Sequence, residues 1–192
     1  MRILKEDEAL EKAKEVLQKG GIVVAPTDTI YGMLADATNE EAVKRLYEIR
    51  RPSGKPFLVL IPDKNWIEKL CLELPEKYKF LLHKEGVTLV LRKRCNKLSH
   101  VSKDSLAVRI PRRGFVRKLL NIFGKPLVAP SVNPEGKKPA TTIEEAVNYF
   151  GNEVELYVDG GEIKGEPSTV VDLREGLKIL REGRVKREEI TE

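Results

Sequence analysis

Cysteine, histidine and tryptophan are scarce in this chain, which carries two, two and one of them in 192 residues. Cys71 falls in a helical pattern and Cys95 in a basic stretch, with no C-x-x-C and no even framework of spacings. That excludes a disulfide scaffold readable from spacing and favours a reducing cytoplasm. His83 and His100 each stand without a second His or a Cys at ligand spacing, so no metal held by the protein is expected. No window approaches 18 uninterrupted apolar residues, and the opening MRILKEDEALEK is charged almost at once; neither a membrane span nor a signal segment is expected. The compact nucleotide and nucleophile signatures are also missing. Gly160 to Ser168 comes closest to a P-loop but has no lysine where one is needed, no G-x-G-x-x-G follows a strand, and no G-x-S-x-G occurs. A chain that handles a nucleotide without these motifs must do so with scattered cations and hydroxyls, by positioning and electrostatics.

What is present is charge and short apolar runs. Hydrophobic residues make up 41% and charged residues 34%, a balance expected of a single globular domain spanning residues 1–192. The 35 Lys and Arg exceed the 30 Asp and Glu, and a formal charge of +5 favours polyanionic ligands such as nucleotides or RNA.

Helical and strand periodicities alternate along the chain. Leu10, Ala13, Val16 and Leu17 form one stripe of a helix stopped by Gly20-Gly21, and "GIVVA" reads as a buried strand. Thr38 to Glu41 resembles a capping box opening a helix that ends before Pro52. "PFLVLI", "VTLVLRK", "LAVRIP" and "PLVAPS" read as strands, 63–84 as two short helices broken at Pro75, and 115–123 as a helix ended by Gly124. Thr142 to Glu145 is a second capping box, and "ELYVDGG", "STVVDL" and "LKILR" are closing strands too near one another for helical crossovers. The expected class is α/β, with one mixed parallel and antiparallel sheet flanked by helices.

Several apolar runs end in small polar clusters: Pro26-Thr27-Asp28-Thr29 after "VVA", Pro130-Ser131-Val132-Asn133 after "LVA", and Pro167-Ser168-Thr169 before "VVDL". Any one of them is ordinary turn chemistry; three of them suggest one polar rim, because open α/β sheets bind ligands at strand ends. Arg109 and Arg181 interrupt apolar strands, and a charge there needs a partner or an anionic ligand, unless it simply faces solvent. "IRRPSGKP" places Arg50, Arg51 and Lys55 in a loop that can aim cations at a pocket or lie solvated.

The segments "PTDTIYGM", "RPSGKPFLVLI", "LAVRIP", "APSVNPEGKKPATT", "VDGGEIKGEPSTVVDL" and "ILREG" together resemble the YrdC-like family of threonylcarbamoyl-AMP synthases, in that family's order and over nearly the whole chain. The resemblance implies a twisted mixed sheet around a basic central cavity. It implies that L-threonine, bicarbonate and ATP, the latter a substrate accompanied by Mg²⁺, give threonylcarbamoyl-adenylate and pyrophosphate. The product would pass to a transfer complex that modifies tRNA. Carried over by motif, Thr29, Tyr31, Arg109, Ser131 and Ser168 would meet threonine. Arg51 and Lys55 would bind and electrostatically stabilise the phosphates, with Arg50 standing in for the lysine of the family's Lys-x-Arg. Ser105, Asn133, Thr141 and Arg181 would face the nucleotide. Two other readings remain open at this point, an RNA-binding module of the same fold without synthase activity and a related carbamoyl-transfer enzyme.

Overall fold

In the computed structural model, which describes residues 1–191, eleven strands and six helices alternate along the chain. They are β1 (Arg2–Lys5), α1 (Leu10–Gln18), β2 (Val23–Pro26), β3 (Tyr31–Asp36), α2 (Glu40–Arg50), β4 (Leu58–Leu60), α3 (Asn65–Lys69), β5 (Leu72–Glu73), β6 (Val87–Lys93), β7 (Ser105–Arg109), α4 (Gly114–Phe123), β8 (Leu127–Val128), α5 (Ile143–Phe150), β9 (Leu156–Asp159), β10 (Thr169–Asp172), β11 (Lys178–Arg181) and α6 (Arg187–Thr191). One sheet runs in the order β1-β9-β2-β3-β8-β4-β7-β6-β10-β11, with β5 hydrogen-bonded to β6. Parallel pairs (β1 with β9, β4 with β7, β6 with β10) mix with antiparallel ones (β2 with β3, β6 with β7, β10 with β11). The mixed α/β class expected from the sequence is therefore the observed one.

The sheet has an apolar layer on each side. Leu17 of α1 and Phe115, Leu119 and Leu120 of α4 pack with Val23, Ala25, Leu34 and Leu127 in one core. Ala42, Val43 and Leu46 of α2 and Ala146 and Phe150 of α5 pack with Val24, Met33, Val59 and Leu89 in the other. The opposite assignment of Val23 and Val24, or of Met33 and Leu34, follows from the two-residue period of a strand. Both cores form because each helix presents one apolar stripe. Among the described residues no helix is long and apolar enough to cross a membrane.

Local chemistry explains several boundaries. Thr142 accepts a hydrogen bond from the Glu145 backbone and caps α5, as its sequence signature predicts. Gly124 ends α4 at φ 76°, in the left-handed region where a Cβ is costly. The cap of α2 is Asn39, whose Oδ1 accepts from the Ala42 backbone, while Thr38 turns back and donates its hydroxyl to Asp36. That corrects the capping-box reading at Thr38: a carboxylate two residues upstream captures its hydroxyl.

Three further expectations need correction. β3 follows β2 after only four turn residues, so the strand end at Pro26 is one arm of a hairpin. Region 63–84 holds α3, the short strand β5 and a 3-10 segment over Glu76–His83 in place of two helices. The two cysteines are joined, Cys71 to Cys95, with Cα atoms 5.9 Å apart. β5 pairs antiparallel with β6 through Leu72 and Lys93, so the residues flanking that pair are brought face to face by register across a separation of 24. No spacing rule could show this, and the argument for a reducing compartment from isolated cysteines falls with it.

Candidate functional site

The strand register gathers one row of polar residues. Arg109 at the end of β7 lies beside Thr88 of β6, because Leu89 pairs with Val108 in an antiparallel ladder. Thr88 pairs with Val170 of β10, and Val170 with Arg181 of β11. Four strands thus bring Arg109, Thr88, Val170 and Arg181 to one level of the sheet. The β2–β3 turn, residues 27–30, and the segment after β8 close over that level, and the gap between them is a cavity of about 280 Å³. Three arginines reach its wall, Arg51, Arg109 and Arg181, together with Thr29, Ser131 and Ser168. Leu58, Ala107, Val170 and the rings of Pro56 and Pro139 supply its apolar part.

Arg109 is buried and locked. Its Nε and Nη2 donate to the Asp28 carboxylate at 3.1 and 2.9 Å, its Nη1 donates to the Thr88 hydroxyl at 3.2 Å, and Nη2 also approaches the Thr29 hydroxyl at 3.4 Å. Both members of the ion pair are almost fully shielded, 3% and 7% exposed. A forked guanidinium on a carboxylate is the geometry in which a buried pair best offsets its desolvation. The chain of contacts then closes on itself. Thr88 and Ser168 share a hydrogen bond of 2.7 Å between hydroxyls, the Arg184 backbone N–H donates to the Pro167 carbonyl, and the Arg184 side chain donates to the Asp28 carbonyl at 2.7 Å.

Arg51 and Arg181 are held differently, each donating only to main-chain carbonyls: Arg51 to Lys55 and Pro56, Arg181 to Ser168. Arg51 also lies 5.3 Å above the Phe57 ring, which itself stacks on Tyr47. Burial, and then repulsion from Arg109 and Arg51, draws the Arg181 guanidinium below its ordinary value. A multiply charged anion beside Arg181 would relieve both that burial and that repulsion.

Arg50 sits behind the wall. It is 2% exposed and donates through Nε to the Ser131 carbonyl at 2.7 Å and through Nη2 to the Ser131 hydroxyl and Asn133 Oδ1, both at 3.2 Å. Burial, then the neighbouring Arg51, pulls it down to about 10. Ser131 in turn donates to Asn133 at 2.6 Å. Arg50 therefore fixes the Ser131–Asn133 segment, and its guanidinium is already committed to that task. The Tyr31 hydroxyl accepts from the Gly160 backbone and donates to the Gly161 carbonyl, so the tyrosine anchors the 160–167 loop over the cavity. That loop needs glycine: a Cβ at Gly165 would lie 2.5 Å from the Thr29 carbonyl oxygen.

Of the residues singled out from the sequence, Thr29, Tyr31, Arg51, Arg109, Ser131, Ser168 and Arg181 share the cavity wall. Asn133 and Arg50 support it from behind. Lys55 is exposed on the loop leading to β4, and Thr141 donates to Glu145 just ahead of α5; neither belongs to the wall. Ser105 lies at the opposite end of β7 from Arg109, in a separate groove with Arg92 and Asp172. Sequence reasoning placed Asp28 in a polar turn without giving it a partner, and missed Thr88 and Arg184. A signal for that partner was available, since a strand-buried arginine needs an anion and Asp28 is the carboxylate of the nearest polar turn. Thr88, a lone hydroxyl in "VTLVL", was a weaker one.

A family model described as telomere recombination, for Sua5, YciO and YrdC proteins, matches residues 15–183. The chain belongs to the Sua5/YciO/YrdC family. A Pyrococcus abyssi relative named threonylcarbamoyl-AMP synthase is 35% identical over 182 residues, 91% of this chain and 54% of the relative. A Bacillus subtilis protein of the same name is 33% identical over 193 residues, 96% of this chain and 56% of its own. The chain therefore spans about half the length of these curated relatives. The crystal structure of P. abyssi Sua5 complexed with L-threonine superposes with a TM-score of 0.91 at 32% identity, covering 99% of this chain and 60% of that one. The shared family accounts for the common sheet; the cavity contacts above are those of this chain.

Proposed function

We propose that the protein is an ATP-dependent L-threonylcarbamoyladenylate synthase, serving threonylcarbamoyladenosine formation in tRNA. The observation that carries the reading is the convergence of Arg51, Arg109 and Arg181 with the hydroxyls of Thr29, Ser131 and Ser168 on one cavity. The names of the relatives, and the threonine bound to P. abyssi Sua5, support it over an RNA-binding module or another carbamoyl transfer.

In this reading threonine binds at the Thr29, Arg109 and Ser168 end, and Arg51 and Arg181 take the triphosphate, with Lys55 reaching it from the loop. The threonine amine and bicarbonate condense to a carbamate with loss of water. A carbamate oxygen then attacks the α-phosphorus of ATP, and the bond to the β-phosphate oxygen breaks to release pyrophosphate. Negative charge builds on the leaving oxygens, where fixed cations stabilise it more than they stabilise bound ATP. Holding amine, bicarbonate and nucleotide together removes much of the entropic barrier. Mg²⁺ would accompany ATP as the counter-ion of its triphosphate. Such a reaction belongs where ATP and tRNA are, in the cytoplasm.

Pyrophosphate release from ATP tests the proposal. Release is expected to require both threonine and bicarbonate and to fall when serine replaces threonine. Release that ignores threonine, beside strong RNA binding that weakens steeply with salt, would favour the RNA-binding module.

A further inference from the structure

Of the three arginines on the cavity wall, Arg109 is the one paired with a carboxylate, and this asymmetry bears on how a zwitterionic amino acid and a polyphosphate are kept apart. Of its five N–H groups, Nε–H and those of Nη2 are directed at Asp28 and Thr29 and one of Nη1 at Thr88. Little of the fork is left for a second bidentate partner. Asp28 cannot swing away freely, since its side chain is 7% exposed and its backbone carbonyl is pinned by Arg184. Arg51 and Arg181 donate only to carbonyl dipoles, and the one carboxylate that acts on Arg51, Glu135, does so through space without a hydrogen bond to it.

We propose that Asp28 is a specificity-determining and positioning residue. By cancelling Arg109 it makes that end of the cavity a receptor for a net-neutral zwitterion, and it leaves polyphosphate to Arg51 and Arg181. The amino-acid assignment rests on the synthase reading; the charge partition does not. An amino acid offers its carboxylate to the remaining Nη1 N–H and the neighbouring hydroxyls, which suffices for a group carrying its own counter-charge. A triphosphate gains little there, because every attraction to Arg109 is opposed by Asp28 at nearly the same distance. Without Asp28 the three arginines would form one continuous cationic trough, and a polyphosphate could lie across the amino-acid end.

Inorganic triphosphate is the probe, titrated by calorimetry at low salt. Asp28→Asn is expected to bind it about tenfold more tightly than the parent, as one uncovered charge at this range would produce, and triphosphate should then compete with threonine. The Asp28→Asn/Arg109→Gln double variant removes both charges together and is expected to stay within about twofold of the parent for triphosphate. It keeps the test decisive if Asp28→Asn alone does not fold. An unchanged or weaker affinity in folded Asp28→Asn, or a tenfold loss in the double variant, would overturn the proposal, the latter because Arg109 would itself be anchoring phosphate. Should the parent protein release no pyrophosphate with threonine, the synthase reading fails while these binding comparisons still decide the role of Asp28.

Discussion

Arg109 on the cavity wall and Lys55 on the loop just before the lining residue Pro56 are both cations, and the protein holds them in opposite ways. Arg109 ends a central strand, is buried, and is fixed by a carboxylate and two hydroxyls from two separate segments, the β2–β3 turn and β6. Lys55 rides an exposed loop held by local contacts, Gly54 to Arg51 through the backbone and Arg51 back to the Lys55 carbonyl, and by one distant one, Ser53 to Glu135. A guanidinium clamped on every side can select by shape but cannot follow a moving group. A loop lysine is the reverse, a mobile point charge suited to phosphates that are displaced during reaction. Under the proposed function, preorganisation falls at the amino-acid end and adaptability at the phosphate end.

Breaking the clamped end should have the largest effect. Arg109→Gln strips Asp28 of its partner in a nearly dry site and is expected to cost about 3–5 kcal/mol of stability. Threonine-dependent pyrophosphate release should drop at least about a hundredfold, the scale of a lost charge-assisted contact. Urea unfolding and the release assay check the two separately. A variant of parental stability would mean that the pair is not closed in solution.

Lys55→Ala comes second and should separate the two ends. Its side chain is exposed, so the midpoint of unfolding should move by less than about 0.5 kcal/mol. The kcat/KM for ATP should fall about tenfold with the KM for threonine unchanged, as expected for a charge acting on phosphate alone. A rise in the threonine KM of the same size would merge the two ends.

Tyr31 tests the clamp more gently, through the loop it anchors. Burial above all, helped by Asp159 and Glu6, pushes its hydroxyl up to about 12. A phenol whose value is raised on folding contributes stability that is fully present below its unfolded value near 10 and is lost as pH rises through 12. Two units correspond to about 2 to 3 kcal/mol. The parent protein should therefore lose stability between pH 10 and 12, with Tyr157 contributing in the same window because burial raises it likewise. Tyr31→Phe should flatten part of that loss, cost about 1 kcal/mol at neutral pH from the missing hydrogen bonds, and slow turnover severalfold. An unaltered alkaline profile in the variant would show that the hydroxyl is not held by the loop.

Legibility in the sequence followed the range of the interactions. The strands of "VTLVLRK" and "LAVRIP", the helix over 115–123 and its Gly124 stop are set by residues within a turn of each other, and the structure places them there. "IRRPSGKP" was legible as a cationic loop, but that Arg50 turns inward to Ser131 while Arg51 faces the cavity depends on where α2 ends, a matter of one residue. The β2–β3 hairpin was obscured because its turn, Thr27 to Ile30, is richer in hydroxyls than in glycine. The Asp28–Arg109 pair, 81 residues apart, and the Ser168–Thr88 bond, 80 apart, exist only once the sheet order is known. Ser105, read as facing the nucleotide, and Arg109, read as facing threonine, stand at opposite ends of β7, four residue steps of about 3.3 Å each apart, a separation that their closeness in the sequence does not convey.

The Cys71–Cys95 bond offers the smallest effect on the site and so the sharpest control for the comparison. It links the residue before β5 to the end of β6, whereas Thr88 and the cavity lie at the start of β6. Closing a loop of 24 residues restricts the unfolded chain by about 3 kcal/mol. Reduction, or the Cys71→Ser/Cys95→Ser variant, should lower the free energy of unfolding by that order. Pyrophosphate release at a temperature well below the transition should change by less than about twofold, because neither the Asp28 clamp nor the Arg51 loop draws on that end of the strand. Thiol alkylation with and without reductant reports whether the bond was present in the sample assayed. A loss of activity that tracks reduction in the still-folded protein would show that strain at the far end of β6 is transmitted to Thr88, making the clamp a property of the whole strand and not of its buried end.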